Sequence, residues 1–265
     1  MGWLGEYLLE LVFPTSCAGC GEYGGELVCG DCRDRLALLQ GPRCRRCARP
    51  TFYEVDVCAE CLLRRPAFDG AYAAGLYRDP LRAIIHRLKY RNGRRLVPYL
   101  ADLMGEALRQ GAPASGATQA ACAAGGDMYA WRAQTAAEGA FDVVTFVPMH
   151  RRKQKERGYN QAELLAKEVA RGLGLEAAPL LRRTRSGAAQ TGLALRARRE
   201  NVRGAFEARE EGLSGRTHVL LVDDVMTSGF TLSECARSLK RAGAGRVTCC
   251  VLARDVPGGL APGTG

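Results

Sequence analysis

The chain has 265 residues, of which 47% are hydrophobic, so it can bury one substantial core with a smaller module and lacks the composition of a disordered protein. Its 38 Lys and Arg outnumber its 28 Asp and Glu, and the formal net charge of +10 indicates acidic partners such as phosphates, nucleic acid or anionic lipid. No apolar run is long enough to span a membrane, which excludes a helical membrane protein.

Residues 1–13 predict a short amphipathic helix that docks on the rest of the protein. Their apolar residues fall on one helical face, although Glu6 and Glu10 interrupt the run. A signal peptide is disfavoured because the segment lacks a basic start and a small-residue cleavage site. We therefore expect a cytoplasmic protein.

Eight of the twelve cysteines form four Cys-x-x-Cys pairs within 45 residues. Two residues between thiolates let a tight knuckle present both sulfurs to one tetrahedral metal, so we predict two structural zinc ribbons with four ligands each. An interleaved pairing or a degenerate second site stays open, and disulfides are the weaker alternative because nothing indicates export. The pairs are Cys17/Cys20, Cys29/Cys32, Cys44/Cys47 and Cys58/Cys61.

A larger α/β domain is predicted to follow the cysteine module. Strand patterns at 68–77 and 141–148 flank two helix patterns at 81–88 and 96–108. The predicted division is an N-terminal helix with a double zinc ribbon at 1–65, an α/β domain at 66–256 with a flexible insertion at 111–140, and a disordered tail at 257–265.

Three blocks of the larger domain carry most of the excess positive charge. Residues 78–95 contain seven Lys or Arg, residues 151–157 contain five and residues 182–203 contain seven, each against one acidic residue. The 151–157 block follows the predicted strand at 141–148 and precedes a helix pattern, so we interpret it as a basic loop at the carboxyl end of a parallel strand.

The most informative stretch is an apolar strand, Val219 to Val222, that leads directly into Asp223 and Asp224. A Thr/Ser/Gly loop follows, and a helix pattern comes after it. We predict that this helix starts at a capping box formed by Thr231 and Glu234. Backbone N–H groups at such a strand–loop–helix junction favour an anion, which predicts a phosphate cradle beside two carboxylates. We call residues 225–231 the phosphate loop.

Two motifs resemble known families. The 219–231 stretch resembles the phosphoribosyl pyrophosphate signature of type I phosphoribosyltransferases. The string from Arg157 to Gln161 closely resembles a hallmark of the ComF-type competence proteins, which pair an N-terminal zinc-ribbon region with a type I phosphoribosyltransferase domain. The resemblance implies an α/β fold in which a parallel sheet is flanked by helices. It also implies that the 182–203 block forms a flexible loop over the donor.

The resemblance also implies the roles of individual residues. Asp223, Asp224 and Arg157 would be the catalytic residues, with the carboxylates on the ribose hydroxyls and the arginine on the pyrophosphate. Mg²⁺ would accompany the donor. The binding residues for phosphoribosyl pyrophosphate would be Asp223, Asp224, Val225, Met226, Thr227, Ser228, Gly229, Phe230 and Thr231, with Arg151 and Arg157.

Two functions of different classes follow. The first is an enzyme in which a nitrogen nucleophile attacks C1′ of phosphoribosyl pyrophosphate and expels pyrophosphate. The alternative is a non-catalytic single-stranded DNA-binding protein that uses the phosphate pocket as a sensor or backbone site. The family's association with natural transformation implies DNA-uptake proteins as partners in either case.

Overall fold

The computed structural model describes residues 15–90, 93–111, 140–184 and 202–257. The predicted N-terminal helix, most of the 111–140 insertion and nearly all of the tail lie outside these residues. Within them, no helix has the length and hydropathy needed to cross a membrane.

The strands are β1 (Gly70–Leu76), β2 (Val143–Phe146), β3 (Leu181–Arg183), β4 (Phe206–Ala208), β5 (His218–Met226) and β6 (Arg246–Arg254). The helices are α1 (Gly30–Asp34), α2 (Ala59–Arg64), α3 (Leu81–Lys89), α4 (Val97–Gly111), α5 (Arg151–Arg157), α6 (Gln161–Gly172) and α7 (Phe230–Arg241), with a 3₁₀ turn at Gly93–Leu96.

Four parallel strands in the order β1-β6-β5-β2 form the main sheet. The central strands β5 and β6 are buried on both faces, and the side chains from Val219 to Val222 are 0% exposed. Burial on both faces explains their nearly continuous apolar sequence and confirms the buried strand predicted there.

Alternate residues of β5 and β6 enter two separate cores. On one face, Leu220 and Val222 pack with helices α3, α4 and α6. On the other face, Val219 and Leu221 pack with helix α7 and with the antiparallel pair β3–β4. The sheet therefore has helices on both sides, as the α/β prediction requires.

The cysteine module takes part in both cores instead of standing apart from the sheet. Cys17 and Cys32 belong to the core that contains α3 and α4, whereas Cys44 and Cys61 belong to the core that contains α7. The segment 37–39 also lies antiparallel against β1, because the N–H of Leu39 donates to the carbonyl of Ala74 at 2.9 Å. The module thus covers the outer edge of β1, which would otherwise present unpaired backbone groups.

The junction after β5 differs from the sequence prediction. Strand β5 continues through Asp223 and Asp224 to Met226, so the carboxylates lie within the strand and not after it. Helix α7 begins at Phe230 after Gly229, whose φ of 74° ends the preceding turn, and no side chain caps the helix.

The predicted capping box is therefore wrong. Since the left-handed Gly229 places the helix start at Phe230, Thr231 already lies inside the first turn of α7. The carboxylate of Glu234 is used elsewhere and accepts a hydrogen bond of 3.2 Å from the N–H of Gly204, near the start of β4.

The basic loop predicted at 151–157 is a short helix, α5. His150 is its N-cap, with a side-chain nitrogen 3.3 Å from the N–H of Arg152, and Gly158 ends it with a φ of 81°. Its side chains are mostly exposed, so no apolar stripe marked this helix in the sequence.

The close approach of the 37–39 segment to β1 predicts that Gly75→Ala destabilises the protein by about 1–3 kcal/mol through overpacking. A Cβ at Gly75 would lie 2.8 Å from the Ala37 carbonyl oxygen and 2.9 Å from Leu81 Cδ2. Denaturant unfolding measures the effect. The matched control is Gly215→Ala, where a Cβ meets nothing within 4 Å. Equal stability of the two variants would contradict close packing of the 37–39 segment against β1.

Candidate functional site

The eight predicted metal ligands form two separate clusters. Within each cluster the four Sγ atoms lie within 4.8 Å of one another, as tetrahedral coordination of one ion requires. The pairing follows chain order and is not interleaved. We call residues 16–34 the first ribbon and residues 43–64 the second ribbon. The first cluster contains Cys17, Cys20, Cys29 and Cys32, and the second contains Cys44, Cys47, Cys58 and Cys61.

Hydrogen bonds in the first ribbon favour ionisation of one thiol, which suits the binding of a cation. The N–H groups of Gly19 and Cys29 each point at the Sγ of Cys17, at 3.3 Å. Burial raises the pKa of Cys17, but these N–H donors outweigh it and the pKa falls to about 6. Burial and the neighbouring thiols of Cys29 and Cys17 raise the pKa of Cys32 to about 12. One thiolate therefore forms readily, and its charge opposes the ionisation of the others.

The second ribbon repeats this arrangement. The N–H of Cys58 donates to the Sγ of Cys44 at 3.2 Å, and hydrogen bonds from the thiols of Cys47 and Cys61 lower the pKa of Cys44 far below its ordinary value. The same contact raises the pKa of Cys47 to about 12. Only a cation at the centre can make four thiolates favourable at neutral pH. A bound Zn²⁺ would supply that charge, and four thiolates would leave no open position for catalysis.

The phosphate loop lies where β5 meets α7, at the carboxyl edge of the parallel sheet. Thr227 is exposed, while Ser228, Gly229 and Phe230 are partly buried. The N–H groups of the first turn of α7 and the hydroxyls of the loop are suited to an oxyanion. Met226 differs from the rest of the predicted set, since its side chain is only 1% exposed and packs in the core.

The two carboxylates of β5 have different environments because consecutive strand residues point to opposite faces. Asp224 is 6% exposed, and its Oδ2 lies 2.9 Å from Lys89 Nζ and 2.8 Å from Gln161 Nε2. Burial lowers the pKa of Lys89, but the Asp224 carboxylate outweighs it and the net shift is upward, so the lysine is charged. Asp223 receives no such partner from the described residues; its Oδ1 accepts the N–H of Asp224 at 2.9 Å.

Asp223 is the unusual acid of the pair. Burial, and then the charge of Asp224, raise the pKa of Asp223 to about 8. At neutral pH Asp223 of the ligand-free site therefore retains its proton, while the neighbouring Asp224 is paired with Lys89. A ligand that brings positive charge or hydroxyl donors would favour ionisation of Asp223.

Arg157 reaches the acidic pair through an intermediate side chain. Its Nη1 donates to the Oε1 of Gln161 at 2.7 Å, and Gln161 in turn donates to Asp224. The Arg157 guanidinium also lies 5.2 Å from the centroid of the Tyr90 ring. The structure thus brings Arg157 close to the pair without direct contact, while Arg151 is exposed at the start of α5.

The string from Arg157 to Gln161 joins three elements of the site. Tyr159 is 8% exposed and donates its hydroxyl to the carbonyl of Leu88 in α3. Asn160 caps helix α6 by accepting the N–H of Ala162 at 3.1 Å, and its amide donates to the Val147 carbonyl at 3.0 Å. These contacts hold the ends of α3, β2 and α6 together beside β5.

Sequence reasoning missed Lys89 and the role of Gln161. Lys89 is one of seven basic residues in the 78–95 block, and the block was interpreted as a whole. A signal was present in its position directly after the apolar residue Leu88, at the end of a helical stripe. Gln161 is the last residue of the string that begins at Arg157, but the sequence analysis assigned it no contact.

The raised pKa of Asp223 predicts a pH-dependent effect of Asp223→Asn. The stability contributed by the protonated carboxyl is fully present below its ordinary pKa of 3.8 and is lost as pH rises through about 8. Asn keeps the oxygen that accepts from Asp224 but does not ionise. We expect its midpoint of thermal unfolding, relative to the unsubstituted protein, to increase between pH 5 and pH 9. Asp34→Asn, at an exposed site in the first ribbon, is the control. If the difference in unfolding midpoint between Asp223→Asn and the unsubstituted protein does not change with pH, the raised pKa of Asp223 is contradicted.

The comparison with known families agrees with this geometry. The chain matches the model described as a double zinc ribbon domain over residues 8–62 and the model described as a phosphoribosyl transferase domain over residues 160–262. Together with the parallel sheet and the two cysteine clusters, these matches confirm the predicted fold class, a type I phosphoribosyltransferase fold with an N-terminal zinc-ribbon module.

Curated relatives align with nearly the whole chain. Competence protein F of Haemophilus influenzae is 28% identical over 240 residues, which cover 90% of this chain and 95% of that protein. The DNA utilization protein YhgH of Escherichia coli K12 is 28% identical over 93% of this chain and 100% of its own length. Competence protein ComFC of Bacillus subtilis is 27% identical over 82% of this chain and 80% of its own length. The chain is therefore a homologue of ComF-type competence proteins over most of its length, and its double zinc ribbon match precedes its phosphoribosyl transferase match.

Proposed function

We propose that the protein binds phosphoribosyl pyrophosphate together with Mg²⁺ and acts as a phosphoribosyltransferase. The observation that carries this proposal is the pair Asp223 and Asp224 at the end of β5, directly before a loop that opens a helix. The two carboxylates correspond to the ribose hydroxyls of the ligand, and the loop that follows them corresponds to its 5′-phosphate. The junction resembles the phosphoribosyl pyrophosphate signature of type I phosphoribosyltransferases, and the match to a phosphoribosyl transferase domain covers this part of the chain.

In this proposal, residues 225–231 hold the 5′-phosphate through backbone N–H groups and the hydroxyls of Thr227, Ser228 and Thr231. The carboxylates of Asp223 and Asp224 accept hydrogen bonds from the ribose hydroxyls. Mg²⁺, when bound with the donor, supplies positive charge to the pyrophosphate oxygens. The described residues that add further positive charge at this edge of the sheet are Lys89 and Arg157, with Arg151 at the start of α5.

The chemical step proposed is substitution at C1′ of the donor. A nitrogen nucleophile forms a bond to C1′ as the bond between C1′ and the pyrophosphate oxygen breaks, and pyrophosphate leaves. The protein contributes by positioning the donor and neutralising the leaving group, so we assign no covalent role to a side chain. Pyrophosphate release measured with a panel of nucleobases would identify the acceptor. If no nucleobase leads to release of pyrophosphate, the proposed transfer reaction is contradicted and only donor binding is left to test.

Donor binding is tested by isothermal titration of phosphoribosyl pyrophosphate in the presence of Mg²⁺. We expect the Asp223→Asn/Asp224→Asn double variant to bind at least about 100-fold more weakly, since each carboxylate loses a charge-assisted hydrogen bond. The control Asp34→Asn removes one carboxylate from an exposed position of α1 and should bind normally. Unchanged affinity in the double variant would place the donor elsewhere.

A second function, binding of single-stranded DNA, is favoured by the surface around α5. Arg151, Arg152, Lys153 and Lys155 are all exposed on this helix. Beside it, the Tyr90 ring is 51% exposed and contacts the Arg157 guanidinium. Exposed cations next to an exposed aromatic ring suit a phosphate backbone with a stacked base. The names of the relatives, competence and DNA utilization proteins, support the same partner and link the protein to DNA uptake.

The DNA hypothesis predicts affinity that falls steeply with salt and competition with the donor, because Arg151 and Arg157 would serve both ligands. Fluorescence anisotropy of a labelled oligonucleotide measures this, with donor and Mg²⁺ added at constant ionic strength. Lys153→Gln/Lys155→Gln should weaken DNA binding severalfold. Lys167→Gln/Arg171→Gln removes the same charge from α6, where both residues are ion-paired with Glu163 and Glu168, and is the control.

Two results would contradict the DNA hypothesis or limit it. No binding at low salt would refute DNA binding and leave the basic helix to the pyrophosphate. DNA that stays bound when the site is saturated with donor would place the DNA site away from the shared arginines.

A further inference from the structure

We infer that Arg254 is a positioning residue that ties the phosphate loop to the second ribbon. The metal held by Cys44, Cys47, Cys58 and Cys61 then controls how well ordered the loop is, whereas the metal of the first ribbon does not. The consequence for phosphoribosyl pyrophosphate rests on the proposed function, but the order of the loop can be measured without any ligand.

Arg254 connects the two parts directly. It is the last residue of β6 and is 2% exposed. Its Nη1 donates to the carbonyl of Met226 at 3.0 Å and to the carbonyl of Thr227, while its Nε donates to the carbonyl of the metal-ligand residue Cys47 at 3.1 Å. One buried side chain therefore bridges a metal knuckle and the loop.

This bridge needs a guanidinium. Its N–H groups leave a rigid plane in fixed directions, so Arg254 can donate to Cys47 on one side and to Met226 and Thr227 on the other. The compact ammonium of a lysine cannot span both sides from the same position.

A second arginine makes a similar contact. Arg64 ends helix α2, three residues after the ligand Cys61. Its Nη1 donates to the carbonyl of Ser228 at 3.0 Å, and its guanidinium lies 5.3 Å from the centroid of the Phe230 ring. Three consecutive carbonyls of the loop, at residues 226–228, thus accept hydrogen bonds from two arginines associated with the second ribbon.

Glu60 joins these arginines to the metal knuckle. It lies between the ligands Cys58 and Cys61 in sequence. Its carboxylate pairs with Arg64 at 2.9 Å and Arg49 at 2.7 Å, and lies 3.9 Å from Arg254. Since the metal would hold the two cysteines on either side of Glu60, it would also hold the carboxylate that orients both arginines.

The contacts orient the groups that an anion would need. In a trans peptide the carbonyl of one residue and the N–H of the next point in opposite directions. Arginines that hold the carbonyls of residues 226–228 therefore direct the N–H groups of residues 227–229 to the opposite side. A cation at a carbonyl also polarises the peptide and makes its N–H a stronger donor.

The first ribbon has a comparable bridge that leads elsewhere. Arg87 of helix α3 donates to the carbonyl of the ligand residue Cys17 at 3.3 Å. This contact is on the face of the sheet that packs against α3, α4 and α6. Loss of metal from the first ribbon should therefore leave the phosphate loop unaffected.

Hydrogen–deuterium exchange of the full-length, zinc-loaded protein tests the inference without donor. We expect Arg254→Met to speed exchange of the amides at 226–231 by at least about fivefold, as loss of the bridging hydrogen bonds implies, while its zinc content stays unchanged. Arg254→Lys keeps the charge without the fork and should restore little of the protection.

The matched control is Arg46→Met. Arg46 lies in the same knuckle and donates to the Phe68 carbonyl at 2.6 Å, so it also joins the second ribbon to the larger domain but has no hydrogen bond to the loop. Exchange at 226–231 should not change in this variant. Equal acceleration by Arg254→Met and Arg46→Met would overturn the inference.

A second comparison tests the role of the metal. Cys20→Ser and Cys58→Ser each remove one ligand, from the first and the second ribbon respectively. Elemental analysis should show less zinc in both, and exchange at 226–231 should rise only in Cys58→Ser. Should Arg254→Met fail to fold, as judged by circular dichroism, this pair decides the question. Equal exchange at 226–231 in the two cysteine variants would overturn the inference.

Titration with phosphoribosyl pyrophosphate and Mg²⁺ adds the functional consequence. Arg254→Met should bind about tenfold more weakly than Arg46→Met. If the unsubstituted protein does not bind this donor, the proposed function fails, while the exchange measurements still decide whether the second ribbon orders the loop.

Discussion

The buried strand β5 carries a carboxylate on each of its two faces, and the rest of the site depends on that alternation. Asp224 points to the face of α3 and α6, where its carboxylate contacts Lys89 and accepts a hydrogen bond from Gln161. Asp223 points to the other face, where burial and the charge of its neighbour raise its pKa to about 8. Two adjacent residues of one type thus differ in their contacts, and only Asp223 has a raised pKa, because a β-strand separates their environments.

The same two faces explain how a cysteine module with little core of its own is accommodated. The first ribbon contributes Cys17 and Cys32 to the core beneath α3 and α4, and the second contributes Cys44 and Cys61 to the core beneath α7. Each ribbon therefore obtains apolar burial from the sheet as well as order from its metal. Their positions differ in consequence, since only the second ribbon contacts the phosphate loop through described side chains.

The errors of the sequence analysis have physical causes. A capping box was predicted from Thr231 and Glu234, but the backbone turn at Gly229 placed both residues inside the helix. Helix α5 was missed because an exposed helix has no apolar periodicity to detect. Lys89 was hidden among exposed basic residues, although its position after Leu88 placed it at the end of a buried stripe.

The sequence by itself determined the features that are encoded by neighbouring residues. These are the four Cys-x-x-Cys pairs, the buried strand before Asp223 and the phosphate loop after it, since spacing and apolar runs report local geometry. Only the tertiary structure decided which cysteines share a cluster, which carboxylate faces Lys89, and that Arg254 bridges Cys47 to the loop. Those contacts join residues as many as 207 positions apart, and side chains so distant in the chain meet only through the packing of the sheet.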